Sequence, residues 1–106
     1  MTTKRVVLRE RAKQDVNDAI DHYLNEGAEQ AALHFVDDLE RAYIHLSRQS
    51  ASGSPRYAHE LNLPGLRFWP LTRFAHLVFY FERGDVVDVW RVLHAKQDIP
   101  SWMQES

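Results

Sequence analysis

The hydrophobic pattern of this chain changes period, and that change limits the folds open to it. From Ala12 onward, Val16, Ala19, Ile20, Tyr23 and Leu24 recur at i, i+3, i+4, i+7 and i+8. That is the stripe of a helix with one apolar face. Asp15, Asp18, Asp21 and Glu26 fill much of the remainder, and no Ser or Asp caps the start. Asn25-Glu26-Gly27 ends the stripe, because glycine tolerates the left-handed turn that closes helices. A second stripe starts near Ala28 with Ala32, Phe35, Val36, Leu39, Ala42, Tyr43 and Leu46. It stops in Ser47 to Pro55, where small polar residues, glycine and proline break the helix. A link this short favours an antiparallel helical hairpin.

Outside the hairpin the period is that of strands. Val6-Val7-Leu8, with charged flanks, reads as a first strand. Tyr57 to Gly65 reads as a connector. Leu66 to Trp69 lies between Pro64 and Pro70, so it is an edge strand or a strand with a break. Phe74 to Glu82, FAHLVFYFE, is aromatic and β-prone. Arg83-Gly84-Asp85 then forms a glycine-bearing hairpin link to Val86–His94, and reads as a turn rather than an adhesion motif. Gln97 to Met103 reads as a loop or a single helical turn broken at Pro100.

The order is therefore β-α-α-β-β-β, an α+β fold. A helical hairpin needs an apolar surface, and an antiparallel sheet offers one. We expect the two helices to pack on one face of a mostly antiparallel sheet, with the other face open. Phe74, His76, Val78 and Tyr80 alternate with Ala75, Leu77, Phe79 and Phe81, and both sets are apolar. That strand should be central and covered on both sides, the second cover being the C-terminal tail or another chain.

Composition narrows the class. A length of 106 residues suits one domain, and 44% hydrophobic residues suffice for one modest core. A domain this small gains much of its stability from any bound partner. The absence of cysteine excludes disulfides, thiolate catalysis and cysteine-based zinc sites, and fits a reducing, cytoplasmic setting. The N-terminal apolar run is too short for a signal peptide, and no stretch is long enough to span a membrane. Net charge is −2. From Pro64 onward Arg67, Arg73, Arg83, Arg91 and Lys96 are balanced by Glu82, Asp85, Asp88, Asp98 and Glu105. This is not the basic footprint of a protein that lives on phosphate backbones, so no direct nucleic-acid binding is expected. Lys4, Arg5, Arg9, Arg11 and Lys13, diluted by Glu10, read as a solvated strand edge and first helical turn, with a partner contact as the alternative.

Little in the chain spells chemistry. The six histidines hold no metal spacing: His34 and His45 share a helical face but lie about 16 Å apart at 1.5 Å per residue. There is no phosphate-binding glycine loop and no nucleophile elbow, so no metal and no cofactor are expected. Acid–base work on RNA could use His94, Arg91, Arg73 and Arg67. Arg91 and His94, however, are three apart in a strand and point to opposite faces. On simple alternation Arg91 shares a face with Val87, Val89 and Leu93, while Asp88 and Trp90 share the other with His94. Arg91 then reads as one half of a structural ion pair near the sheet edge, and Trp90 as core. Trp69 follows a short edge strand and Trp102 lies in a polar tail. Exposed tryptophan and arginine anchor protein interfaces, so both tryptophans are contact candidates, with lid packing as the alternative.

Five features together resemble the ParE branch of the RelE/ParE toxin superfamily over residues 4 to 100. They are the element order, Arg11-Ala12 with Asp15 at the first helix, Pro64-Gly65-Leu66-Arg67, Val78-Phe79-Tyr80, and Arg91-Val92-Leu93-His94 with Asp98-Ile99. The resemblance implies a cytoplasmic bacterial toxin that inhibits DNA gyrase. It also implies a ParD-type antitoxin, a DNA-binding dimer whose C-terminal segment wraps the toxin in a hetero-oligomer. RelE-like relatives instead cut messenger RNA on the ribosome, commonly with a C-terminal tyrosine or histidine. No tyrosine follows Tyr80 here, which favours ParE, and His94 is the best argument for the enzyme. Arg9 stands where such families often carry a capping Ser or Thr. The reading is a protein-gripping toxin with no catalytic residues and contact candidates Arg67, Trp69, Arg73, Arg91, His94 and Trp102. The alternatives are a RelE-like ribonuclease built on His94, Arg91 and Arg73, or a toxin-derived binding module without toxicity.

Overall fold

The computed structural model describes residues 3–104, and for Gln104 the backbone alone. Strand β1 (Arg5–Leu8) leads into α1 (Glu10–Asn25) and α2 (Glu29–Arg48). A single 3-10 turn (Ser50–Ser52) and a short helix, α3 (Arg56–Glu60), follow. Then come β2 (Arg67–Pro70), β3 (His76–Arg83), β4 (Val86–His94) and a closing helix, α4 (Ile99–Gln104). The strands form one sheet in the order β1-β4-β3-β2. β2, β3 and β4 run antiparallel, and β1 lies parallel to β4 with Arg5 opposite Val86 and Leu8 opposite Val89.

The expected order of the main elements holds, and the differences have local causes. Helix α1 starts at Glu10, two residues before Ala12. Arg9 caps it without a side-chain hydrogen bond, and its backbone N–H donates instead to Val89 O across the sheet, 2.9 Å. Gly27, at φ +72°, makes the turn into α2. The connector from Tyr57 to Gly65 contains most of helix α3. Pro100 does not break the tail: it is the second residue of α4, in the first turn, where a missing N–H costs nothing. Arg83 belongs to β3, so the hairpin link is the two residues Gly84-Asp85, with Gly84 at φ +60°. Pro70 ends β2, which is the edge strand its prolines required, and Ser54 pairs with Phe68 on that edge.

One irregularity changes which side chains face which way. The β3–β4 register passes from Phe79 opposite Arg91 to Tyr80 opposite Val89, which leaves Trp90 as an extra residue, a β-bulge. Simple alternation therefore fails along β4. Val87, Val89 and Val92 face the helical hairpin, while Trp90 and Leu93 face the other way. The face grouping that placed Leu93 with Val87 and Val89 is corrected by this bulge.

Both faces of the sheet are covered. On one, Ala12 of α1 and Phe35, Leu39, Ala42 and Leu46 of α2 pack on Val78, Tyr80, Val87, Val89 and Val92. The other face, expected to stay open, is closed by the C-terminal tail, one of the two covers expected for the central strand. There Leu66, Phe79, Phe81 and Leu93 pack with Ile99 and Met103 of α4, and Tyr57, Leu61 and Leu63 close over them. Each fully buried leucine or phenylalanine contributes about 1.5–3 kcal/mol, so this second core makes α4 part of the fold.

Two buried polar groups generate predictions. The Tyr80 side chain is fully buried; its hydroxyl accepts from Gly53 N at 3.0 Å and donates to Ser50 O. A Cβ on Gly53 would sit 2.2 Å from that hydroxyl and 2.8 Å from the ring. Glycine is needed here for closeness rather than for its φ of −65°. Gly53→Ala is expected to cost about 2 kcal/mol or more in urea unfolding, since the buried ring must shift; an unchanged midpoint would contradict this packing. His76 is buried against Phe35 and His94, with ring centroids 4.8 and 5.1 Å away, and its Nδ1 has no partner among the described residues. Burial first, and His94 next, lower its pKa to about 4 against the opposing charge of Asp15. The unfolded chain binds the proton near pH 6.5 and the folded chain only near 4. The stability His76 contributes is therefore full above pH 6.5 and lost as pH falls toward 4. Between pH 7 and 5 the loss should be about 2 kcal/mol. His76→Phe should flatten that part of the pH profile, and a profile shared by both proteins would refute the assignment.

Candidate functional site

The six candidate residues do not converge on one point. Arg91 is the most deeply placed. β1 stops beside Val89, so beyond that point β4 keeps β3 on one side but has no strand on the other, and Asp15 of α1 takes the vacant edge. Its carboxylate accepts from Val92 N at 3.0 Å and from Arg91 Nε and Nη2 at 2.7 Å each. Arg91 is wholly buried, and its Nη1 donates to Trp102 O in α4. The expected structural pair near the sheet edge is thus present, and its carboxylate is Asp15. Trp102 is half-exposed at 39%, with its ring 5.8 Å from that guanidinium.

His94 lies elsewhere. Its ring stands beside buried His76, its Nδ1 accepts from Lys96 N at 3.1 Å, and its backbone N–H donates to Gln97 Oε1 at 2.7 Å. No hydrogen bond joins it to an arginine among the described residues. Groups of three side chains able to hold a metal ion are also absent among the described residues.

The remaining candidates form two patches. Arg67 donates to Gly53 O at 2.7 Å and pairs with Glu82 at 3.3 Å. Glu82 is held below the usual carboxylate range, first by the Ser50 hydroxyl and then by Lys4 and Arg67. Trp69 is only partly exposed, because its ring stacks on His45 at 4.1 Å and 20°. Arg73 donates through its backbone N–H and Nε to buried Asp38, at 2.9 and 3.1 Å. Asp38, His45, Trp69 and Leu71 line a hollow of about 210 Å³.

A fourth cluster was not anticipated. Asp88 accepts from Arg9, Arg83 and the Trp90 indole at 2.7–3.2 Å, and the Arg9 guanidinium lies 4.3 Å above the Trp90 ring. Burial pushes the Asp88 carboxyl up, but these donors outweigh it and hold it below its ordinary range. The signal that would have found it is the parallel pairing of β1 with β4, which brings Arg9 and Asp88 together across 79 residues. Beside it Leu61, Leu63, Trp90, Pro100 and Met103 line a hollow of about 400 Å³. Arg91 with Asp15, Arg73 with Asp38, Arg67 with Glu82, and Arg9 and Arg83 with Asp88 are ion pairs that tie elements together.

One solved structure, described as the chromosomal ParDE TA system from P. aeruginosa, superposes with a TM-score of 0.71 at 21% identity, covering 87% of this chain and 96% of that one; at such identity it speaks for the fold. No curated protein matches the chain. A family model described as the ParE toxin of the type II toxin–antitoxin system parDE matches residues 6–99, nearly the whole described fold. The chain belongs to the ParE toxin family of type II toxin–antitoxin systems.

Proposed function

We propose that this toxin acts by contact alone, inhibiting DNA gyrase and so replication, and that a ParD-type antitoxin silences it by binding. The observation that carries the non-catalytic part is the commitment of Arg91. A guanidinium meant to stabilise phosphate charge must reach its substrate. Here it is buried, held by Asp15, and turned toward the carbonyl of Trp102. His94 stands apart from it, and among the described residues no hydrogen bond joins His94 to an arginine. The gyrase target comes from the family resemblance, and the balanced charge supports a protein rather than an RNA surface.

Within this reading Arg67, Trp69, Arg73 and Trp102 offer surface to partners, while Arg91 serves by positioning α4. Among the described residues no helix is long and apolar enough to cross a membrane. A cytoplasmic hetero-oligomer of toxin and antitoxin is the working form we propose. An amphipathic antitoxin helix, with a strand added at a sheet edge, would suit its groove-bearing surface.

Supercoiling by purified gyrase, with the toxin added alone or with its antitoxin, tests this. The expected result is loss of supercoiling or trapped cleaved DNA, reversed by the antitoxin and retained by His94→Ala. No effect at high excess, with transcripts cut in a translating extract in a His94-dependent way, would replace it by a RelE-like ribonuclease. Tight antitoxin binding without any effect on growth would replace it by a binding module that has lost toxicity.

A further inference from the structure

Charge in this molecule is segregated. All 13 lysines and arginines lie outside residues 14–40, and that segment holds eight of the 15 acidic residues. Two of them, Asp15 and Asp38, are consumed by Arg91 and Arg73. The other six, Asp18, Asp21, Glu26, Glu29, Asp37 and Glu40, are exposed on the helical hairpin. The half of the hairpin nearest the α1–α2 turn carries an apolar groove of about 300 Å³, lined by Ile20, Leu24, Ala32, Leu33 and Val36 with Glu29 at its edge. Leu33 is 59% exposed and Leu24 48%, unusual for leucines so close together. Asp21 lies three residues from Leu24 and Asp37 four from Leu33, so both flank the groove on the helix surface.

We infer that this groove docks a cationic amphipathic helix of a partner protein, leucine-type residues inward and lysine or arginine toward the acidic rim. Apolar lining supplies the contact, and the unopposed carboxylates supply attraction and orientation. Charge also decides against the other occupants. A second copy would set one acidic hairpin against another, and an anionic lipid surface would be repelled. The inference rests on the hairpin alone and does not require gyrase as the target.

The test uses the whole chain and two synthetic helical peptides with one shared leucine stripe, one bearing lysines on its polar face and one glutamates. Fluorescence anisotropy should show the lysine peptide binding at least about tenfold tighter, with the preference shrinking as salt rises. Leu33→Ser should abolish binding while leaving the fold intact, since that side chain is largely in water. Glu29→Lys with Asp37→Lys should move the preference toward the glutamate peptide. Equal binding of both peptides, or binding indifferent to Leu33→Ser, would overturn the inference. So would a concentration-dependent dimer of the chain alone that Leu33→Ser dissolves, which would assign the groove to a second copy.

Discussion

The junction of Arg91 and Asp15 holds three parts of the molecule in place. A fully buried guanidinium is tolerable only when its charge and donors are matched, because removing it from water costs several kcal/mol. Asp15 matches it with two hydrogen bonds and also accepts the Val92 N–H, capping the edge of β4 where β1 has ended. The remaining arm of Arg91 reaches the backbone of α4. One side chain therefore links the first helix, the central strand and the last helix, and those elements bound both cores. If Asp15 were lost, Arg91 would be an unpaired buried charge, and α4 would lose its tether as well as its neighbour.

This same commitment is what supports the proposed function. RelE-type chemistry needs basic groups free to meet RNA. Here five arginines close to the sheet are engaged with carboxylates: Arg91 with Asp15, Arg73 with Asp38, Arg67 with Glu82, and Arg9 and Arg83 with Asp88. The partly exposed Trp69, half-exposed Trp102 and a leucine-lined groove lie at the surface, and these are materials of protein contact.

Much of this architecture is legible in the residues themselves. The two helical stripes, Gly27 between them, and the doubly apolar β3 each report a local physical requirement, and each stands where the pattern placed it. The features that were not legible all depend on partners distant in sequence or on a break in periodicity. The bulge at Trp90 reverses alternation within β4, and nothing in VVDVWRVLH announces it. Pro100 reads as a breaker until the chain is seen to begin a helix there. Asp15 and Arg91 each stand out as family-like residues, but their pairing across 76 positions needs the fold. The candidate contact residues scatter for the same reason, since sequence order does not show which sheet edge or face each one reaches. The acidic segment without a single lysine or arginine was visible all along, yet it gains meaning only when α1 and α2 place an apolar groove inside it.

The most direct measurement is a double-mutant cycle on Asp15→Ala and Arg91→Ala, read by urea unfolding of the two single variants and the double. The account predicts that each single change costs about 3 kcal/mol or more, and that the double falls short of their sum by about 2 kcal/mol or more. Costs that simply add, within about 0.5 kcal/mol, would contradict it. In that case Arg91 would not be held by Asp15 in solution, and the observation that supports a toxin acting by contact alone would be lost.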